Sequence, residues 1–309
     1  MSKDIDVLAV GEPLIEFNQR AAGNHSYDIG YGGDTSNCAI AAARLGAVAA
    51  YVTRVGDDAF GQRLMALWAA EGVITQGVVV EEGAETGLYF VSHDAAGHHF
   101  DYRRRNSAAS RLGAADLSQA LIARARYLHV SGISQAISAS AQEAVDQAIG
   151  LAQQHGAAVS YDLNFRPRLW SADAALAAAK RTLARCDIFF PGLDEVQTLT
   201  GIVGPEAAVA WAHDCGAKVV ALKLGAQGCL LSAGGRQERI ASITVNPVDA
   251  TGAGDCFAGA FLSQLAVGSD PFSAARFANT AAALSTQGYG AVAPIPDRRT
   301  VLKRLGSGA

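Results

Sequence analysis

The chain has 309 residues, of which 50% are hydrophobic and 17% charged, and its formal net charge is −4 at pH 7. This length fits one large α/β domain or a core with a smaller appendage, and the composition excludes a largely disordered chain. The negative charge gives no electrostatic reason to expect nucleic acid or an anionic membrane surface as a partner, so we expect small-molecule partners.

The cysteines and the apolar pattern indicate a cytoplasmic protein. The five cysteines are odd in number and include no Cys-x-x-Cys pair, which favours reduced thiols over a disulfide framework. The sequence shows no signal-peptide pattern at its start, and no apolar run reaches the roughly 18 residues that a membrane span needs.

The first third of the chain predicts a buried strand and two hairpins. Residues 6–12 form a nearly continuous apolar run, which is typical of a strand buried on both faces. Only Gly11 follows where a dinucleotide-binding fold would need Gly-x-Gly-x-x-Gly, which argues against NAD. The predicted hairpins pair 14–20 with 27–31 around a turn at 23–25, and 86–92 with 98–105 around a turn at 94–97. If the hairpins pair with each other, they form a small sheet over one edge of the core, as a lid would.

The remaining segments predict a doubly wound α/β fold. An Ala-rich helix opens within 32–37, capped by Asp34, Thr35 or Ser36, and ends at Gly46. Further segments predict strands at 48–55, 127–130, 157–162, 188–190 and 218–223, a late hairpin at 228–236, and helices at 61–71, after 255, at 273–285 and near the C-terminus. Alternating strands and helices imply a mainly parallel sheet with helices on both faces, joined by right-handed crossovers.

The stretch from Asp249 to Asp255, Asp-Ala-Thr-Gly-Ala-Gly-Asp, is the strongest candidate for chemistry. Apolar residues at helical spacing follow it, so it is expected to be a loop that enters a helix. Free amides and the dipole at a helix start suit a phosphate or oxyanion, and Asp255 in the first turn is placed to accept a hydroxyl proton. An ordinary tight turn with a carboxylate that the helix dipole favours accounts for these residues equally well.

Other polar residues follow predicted strands, where ligands of open parallel sheets bind. Arg166 is a candidate ligand contact or a surface arginine, and Glu195 is a candidate site residue or a partner of a helix dipole. Tyr102 and Arg104 share one face of a predicted strand and suit a small hydroxylated anion. The alternative is that the run of arginines at 103–105 is a solvated charge patch, as such runs usually are. The histidines show no metal-binding spacing.

Gly32-Gly33 with Asn37, and the stretch from Asp249 to Asp255, resemble the ribokinase-like sugar kinase family of the phosphofructokinase-B type, from about residue 7 to 296. The resemblance implies one kinase domain over 1–309, with a β lid from about 13–33 and 86–107. It also implies ATP with Mg²⁺ and phosphoryl transfer to a primary hydroxyl. Asp255 would be the base, and the amides of Gly252, Ala253 and Gly254 would form the anion hole. The nucleotide would contact Asn164, Lys223, Gly225, Gly228, Gly252, Gly254 and Asn279.

Within that family the chain is most similar to 2-keto-3-deoxygluconate kinases, through residues 11–14, 102–104, 162–166 and 169–170. This similarity implies phosphorylation of that sugar acid to its 6-phosphate. The sugar-acid contacts would be Gly33, Asn37, Tyr89, Tyr102, Arg104, Arg166 and Asp255. A fructokinase or ribokinase is the alternative within the family, and a non-catalytic sugar or nucleotide sensor is the alternative outside it.

Two positions depart from the family pattern. The Asn-x-x-Glu site that organises magnesium waters begins with Gly192 here, so Glu195 is the only member left to act through water. Tyr289 stands where some ketodeoxygluconate kinases carry an acidic residue. The sequence leaves open the gluconate or galactonate epimer and a potassium ion near Asp249. A lid with Tyr27, Ile29 and Tyr31 on it suggests a homo-oligomer formed through that sheet.

Overall fold

Strands and helices alternate along most of the chain in the computed structural model, which describes residues 3–19, 25–94 and 97–306. The strands are β1 (Ile5–Val10), β2 (Leu14–Gln19), β3 (Tyr27–Gly32), β4 (Ala49–Gly56), β5 (Ile74–Glu81), β6 (Leu88–Asp94), β7 (Gly97–Arg103), β8 (Ala125–Ser131), β9 (Ala158–Asp162), β10 (Ile188–Phe190), β11 (Val219–Lys223), β12 (Cys229–Ala233) and β13 (Arg236–Ile240). The helices are α1 (Asp34–Arg44), α2 (Ala59–Ala70), α3 (Gln119–Arg124), α4 (Gly132–Ala136), α5 (Ala139–Gln154), α6 (Ala172–Leu183), α7 (Leu193–Thr200), α8 (Pro205–Asp214), α9 (Ala253–Ala266), α10 (Pro271–Ser285) and α11 (Arg298–Gly306). Within these described ranges, no helix is long and apolar enough to cross a membrane.

The main sheet runs in the order β13-β12-β11-β10-β9-β8-β1-β4-β5. Neighbours from β11 to β5 pair in parallel, while β12 and β13 form the antiparallel hairpin expected near residues 228–236. Helices pack on both faces, so the predicted doubly wound α/β fold is confirmed. Because the parallel strands share one direction, their carboxyl ends meet along one edge, where a ligand is expected.

The β1 strand shows why these residues form a central strand. Its apolar side chains alternate between two cores, with Val7 and Ala9 in one and Leu8 and Val10 in the other. The first core includes side chains of α1, α2, α9, α10 and α11, and the second those of α3, α5, α6, α7 and α8. A strand buried on both faces reads as a continuous apolar run, as predicted.

The two early hairpins pair with each other, as predicted, into a small sheet of order β3-β2-β6-β7. Strands β2 and β6 pair in parallel at its centre, with Glu16 opposite Tyr89. Leu14, Tyr89 and Val91 form an apolar cluster on one face, against which Phe100 and Tyr102 pack. Of the predicted turns, Gly23 and Asn24 in the first and residues 95–96 in the second lie outside the described residues.

Two local features differ from the sequence expectations. The predicted caps of α1 are wrong, because Gly33 is the N-cap residue and no side chain caps the helix. Its φ of +99° brings Gly33 so close to Glu12 and Pro13 that an added Cβ would lie 2.2 Å from the Glu12 carbonyl oxygen. Strand β5 was not predicted, because it is a half-exposed edge strand interrupted by Gly77 at an irregular pairing with β4.

Helices α1 and α9 pack unusually closely, because small residues line their contact. A Cβ added at Gly259 would lie 2.4 Å from the Cys38 carbonyl oxygen and 2.7 Å from the Ala41 Cβ. Gly259 and its α1 neighbours are fully buried, so nothing there can move into solvent. This contact sets the distance between the start of α1 and the start of α9.

We predict that Gly259→Ala destabilises the protein by about 1–3 kcal/mol, because the extra methyl group overpacks the α1–α9 contact. Urea unfolding measures this loss. The matched control is Gly150→Ala in α5, where an added Cβ meets no atom within 4 Å. The control should be neutral or stabilising by up to ~1 kcal/mol, since alanine favours helix. Equal stability of the two variants would show that the helices are not in tight contact.

Candidate active site

The N-terminal end of α9 places Asp255 beside α1, 218 residues away in sequence from its partner Asn37. The Asn37 Nδ2 donates a hydrogen bond to Asp255 Oδ2 at 2.8 Å. The Asn37 Oδ1 is buried and has no hydrogen-bond partner among the described residues, so it is available to a ligand hydroxyl. The two sequence motifs therefore meet, as their assignment to one site predicts.

The loop before α9 is shaped by glycine and by a buried carboxylate. Gly252 is the N-cap residue with φ +74°, and a Cβ there would lie 2.8 Å from the Ala291 Cβ. Asp249 accepts hydrogen bonds from the Thr251 amide at 2.9 Å and from the Gly290 amide at 2.9 Å. These bonds tie the loop to residues 290–291, so the start of α9 is held in place before any ligand binds.

The amides at the start of α9, predicted to bind an anion, lie beside a lysine. The Ala253 amide donates to the Ala250 carbonyl at 3.2 Å, so of the three predicted amides this one is already occupied. The next amides have no partner within the helix and face outward. A Cβ on Gly254 would lie 3.3 Å from the Lys223 Nζ, so the absence of a side chain leaves room for the ammonium. Lys223 therefore adds a full positive charge beside the helix dipole.

A network of buried polar groups surrounds Lys223. Its Nζ binds both oxygens of Asp162, at 2.8 and 2.7 Å. The Asn164 amide donates to Asp162 at 3.2 Å, and its Nδ2 donates to Asp34 at 3.2 Å. Burial favours the neutral amine, but Asp162 and Glu195 outweigh it and raise the pKa of Lys223, so the lysine is charged. Asn164, predicted to contact nucleotide, lies between the two aspartates.

Sequence reasoning missed Asp34 and Asp162 as site residues. Both were visible as signals, because Asp34 directly follows the Gly32-Gly33 pair and Asp162 ends a buried strand at the ligand edge. Burial raises the pKa of Asp34, and Asp162 raises it further. The site therefore holds several carboxylates in a small, poorly solvated volume.

This environment changes the acidity of Asp255, the predicted base. The residue is partly buried in the first turn of α9. Burial raises the pKa of Asp255 from 3.8 to about 8, and Asp34 adds to the shift while Asn37 and Lys223 oppose it. A general base whose pKa lies near the working pH transfers protons efficiently.

Glu195 lies at the start of α7 and already accepts two hydrogen bonds. Its Oε2 accepts from the Gly192 amide at 2.7 Å, and its Oε1 accepts from the Phe165 amide at 3.0 Å. The Arg166 Nη1 lies 3.9 Å from Glu195 Oε1, and 48% of the Arg166 side chain is exposed. Glu195 thus holds the loop that carries Arg166, in addition to its predicted role toward magnesium.

The small sheet presents three predicted sugar contacts. Tyr89 and Tyr102 stack with ring centroids 5.6 Å apart, and the Arg104 guanidinium lies 5.3 Å from the Tyr102 centroid. Tyr89 donates a hydrogen bond to the buried Glu16, which sequence analysis did not identify. Arg104 forms an ion pair with the buried Glu12. Sequence analysis included Glu12 only within the stretch 11–14 that carries the family resemblance. The side-chain alternation predicted for this strand is confirmed, since 101, 103 and 105 are exposed.

Of the predicted nucleotide residues, Lys223 and Gly225 line a cavity of about 280 Å³, together with Leu193, Asp194, Gln197, Leu224 and Gln227. Gly225 (φ +58°) begins a short turn, and Gly228 (φ +90°) packs so tightly that a Cβ would lie 2.1 Å from the Ile240 carbonyl. Asn279 is buried, and its amide donates to Ile240 at 2.9 Å. Asn279 therefore holds the wall of this region, and direct nucleotide contact by it stays a prediction.

The family model described as pfkB family carbohydrate kinase matches residues 4–298. The chain belongs to the pfkB family. A 2-dehydro-3-deoxygluconokinase of Thermoproteus tenax is 35% identical over 298 residues, covering 91% of this chain and 88% of the relative. Fructokinase-1 of Oryza sativa subsp. japonica is 36% identical over 320 residues, covering 97% and 98%. The chain is therefore a carbohydrate kinase, as predicted, and its relatives carry two different substrate names.

A solved structure supports the fold of this pfkB kinase. A putative ribokinase II of E. coli in complex with ATP and Mg²⁺ superimposes with a TM-score of 0.91 at 27% identity, covering 99% of this chain and 100% of that one. The ribokinase-like fold is thereby confirmed.

The residues present fit magnesium that arrives with the nucleotide. Across residues 3–19, 25–94 and 97–306, no group of three or more His, Cys, Asp or Glu side chains could hold a metal alone. The outward amides of α9 and the Lys223 ammonium suit the phosphates, to which Mg²⁺ binds in kinases. Glu195 would act through water, because backbone amides occupy its oxygens. When bound, Mg²⁺ neutralises phosphate charge.

We predict that Asp255→Asn lowers kcat by about 10²–10⁴-fold while ATP binding is retained, because the variant cannot accept the hydroxyl proton. A coupled ADP-release assay measures kcat, and a nucleotide-induced shift in Tm measures binding. Near-normal turnover would remove Asp255 from the base role.

The same variant has a pH signature. Because the pKa of Asp255 is raised from 3.8 to about 8, the folded protein binds this proton more tightly than the unfolded chain does. Its contribution to stability is therefore complete below about pH 4 and is lost as the pH rises through about 8. The Tm of Asp255→Asn relative to wild type should increase from pH 6 to pH 9. Asp270→Asn is the control, since hydrogen bonds with Ser273 lower the pKa of Asp270 and no such increase is expected.

Proposed function

We propose that this kinase phosphorylates 2-keto-3-deoxy-D-gluconate, also called 2-dehydro-3-deoxygluconate, at its 6-hydroxyl. The observation that carries the proposal is the position of Arg104. Only 11% of its side chain is exposed, and it lies beside the Tyr102 ring on the face of the small sheet that carries Tyr89. A guanidinium binds a carboxylate through two parallel hydrogen bonds, and an acid sugar needs such a partner to offset its desolvation.

The chemistry at the other end of the substrate uses residues of α1, α9 and β11. Asp255 accepts the proton of the attacking hydroxyl, and Asn37 orients that carboxylate at 2.8 Å. The outward amides of α9 and the Lys223 ammonium stabilise the negative charge that spreads over the transferring phosphoryl group. Arg166, half exposed and 3.9 Å from Glu195, would contact the sugar acid from the loop after β9.

A neutral sugar such as fructose is the second candidate, and a specific contact favours it. Glu12 already neutralises Arg104, and a balanced ion pair does not by itself demand an anionic ligand. The rice fructokinase is as similar to this chain as the archaeal 2-dehydro-3-deoxygluconokinase. A sensor without turnover is disfavoured because Asp255 and its loop are intact, and ATP hydrolysis without a phosphorylated sugar would support it.

We predict that Arg166→Ala raises KM for ketodeoxygluconate by roughly one to three orders of magnitude, as truncating one partner of a desolvated charge pair costs ~2–5 kcal/mol. KM for ATP should change much less. The control is Arg103→Ala, whose side chain is 62% exposed on the opposite face of β7 and pairs with Asp101. Steady-state kinetics with both substrates decides the point. An unchanged sugar KM in the Arg166 variant would remove the arginine from substrate recognition.

We also propose that the small sheet, formed by β3-β2-β6-β7, closes over the sugar as a lid. Arg168, in the loop after β9, donates to the Phe100 carbonyl of β7 at 2.8 Å and so already joins this sheet to the core. Sugar and an ATP analogue together should slow amide hydrogen exchange in β2 and β6 more than either ligand alone. Identical exchange in all four states would argue against closure.

The exposed edge of the small sheet supports the proposal of a homo-oligomer. Tyr27 is 37% exposed and Ile29 is 44% exposed on the edge strand β3, which supports pairing of two copies through this sheet. Light scattering measures whether the Tyr27→Ser variant loses a dimer that the wild type forms.

A potassium ion near Asp249 would bind main-chain oxygens, because amides occupy both carboxylate oxygens. Comparing activity in potassium and sodium salts tests this ion.

A further inference from the structure

The Glu12–Arg104 ion pair joins the core to the small sheet at the proposed sugar site. Glu12 follows β1, and Arg104 follows β7, 92 residues later. The Glu12 side chain is 1% exposed and the Arg104 side chain 11% exposed. A buried pair of this kind is stable only when further hydrogen bonds satisfy its remaining donors and acceptors.

Those remaining atoms are not satisfied. Among the described residues, the buried Arg104 Nε has no hydrogen-bond acceptor and the buried Glu12 Oε1 has no hydrogen-bond partner. Buried polar atoms without partners are rare in folded proteins and indicate a place for a ligand or water. The free Arg104 Nε lies next to an Nη2 that Glu12 already occupies. A substrate carboxylate that binds both nitrogens must therefore approach the Glu12 carboxylate closely.

The surrounding groups make two negative charges at this point unfavourable. Burial raises the pKa of Glu12, Arg104 opposes this shift and Asp34 of α1 adds to it. The nearby Ser107 hydroxyl opposes the shift, although its geometry does not make it a hydrogen-bond partner of Oε1. The phenol of Tyr51 in β4 also faces this region, where burial and the nearby carboxylates of Asp34 and Glu12 keep it neutral by raising its pKa. Arg166 is half exposed and lies 3.9 Å from Glu195, so Arg104 is the buried positive charge that Glu12 and a bound acid would share.

We infer that binding of the sugar acid is coupled to uptake of one proton by Glu12. Two carboxylates that share one cation in a poorly solvated site cannot both stay ionised, so one of them takes a proton from solvent. An α-keto acid is the stronger acid of the two, so the proton resides on Glu12 and the substrate stays anionic on Arg104. No covalent bond changes. This inference rests on the proposed acid-sugar specificity. It makes Glu12 a positioning residue, because only an acid sugar requires Glu12 to take up a proton.

Isothermal titration calorimetry of the wild type tests the coupling. Ketodeoxygluconate is titrated into the enzyme with a non-hydrolysable ATP analogue and Mg²⁺, at pH 7.5 in phosphate and in Tris buffer. The difference in binding enthalpy between the two buffers gives the number of protons taken up for each sugar bound, and we expect a value close to one. The dissociation constant should rise by up to about tenfold per pH unit above pH 7.5. Fructose, which has no carboxylate, should take up no proton.

Two variants identify the acceptor. Glu12→Gln should bind the sugar acid without proton uptake and with an affinity that no longer depends on pH. Glu16→Gln, which removes another buried carboxylate of the small sheet, should retain the uptake. Thermal unfolding checks that both variants fold. If a variant does not fold, the pH dependence of sugar-acid binding by the wild type still tests the coupling. Binding of the sugar acid by the wild type without proton uptake would overturn the coupling, and equal uptake by Glu12→Gln would overturn its assignment. Binding of fructose but not of the sugar acid would instead overturn the proposed substrate, and this inference with it.

Discussion

The hydrogen bond between Asn37 and Asp255, 2.8 Å long, depends on how closely α1 and α9 approach each other. Gly259 makes that approach possible, because any side chain there would collide with the Cys38 carbonyl. Both helices begin at a glycine with positive φ, Gly33 and Gly252, so the backbone turns sharply before each helix. The proposed base Asp255, the Asn37 amide that binds it and the amides at the start of α9 are thus positioned by the packing of small residues.

The second organising constraint is charge. Asp162, Glu195 and Asp255 lie around Lys223, and Asn164 links Asp162 to Asp34. Burial raises the pKa of Asp34, Glu195 and Asp255. At the proposed sugar site, Glu12 and Arg104 balance each other's charge. A carboxylate that enters either region therefore meets carboxylates that are already poorly solvated.

Local patterns predicted most of this structure. The alternating β and α segments and the pairing of the hairpins follow from periodicity and turn signals, whereas the meeting of Asn37 with Asp255 follows from the resemblance to a kinase family. The ion pair between Glu12 and Arg104 could not be predicted in this way, because its members are 92 residues apart and no local pattern in 11–14 or 102–104 indicates that they pair. The cap of α1 was mispredicted because three capping residues follow Gly33, while close packing of Gly33 on Glu12 decides where the helix begins.

The most direct test of acid-sugar specificity is the ratio of kcat/KM values for ketodeoxygluconate and fructose, measured on the wild-type enzyme with Mg²⁺ and ATP. A coupled ADP assay provides both values under the same conditions. The buried Arg104 and the half-exposed Arg166 predict a higher kcat/KM for the acid sugar. A higher kcat/KM for fructose would contradict the acid-sugar account and leave a carbohydrate kinase of neutral sugars.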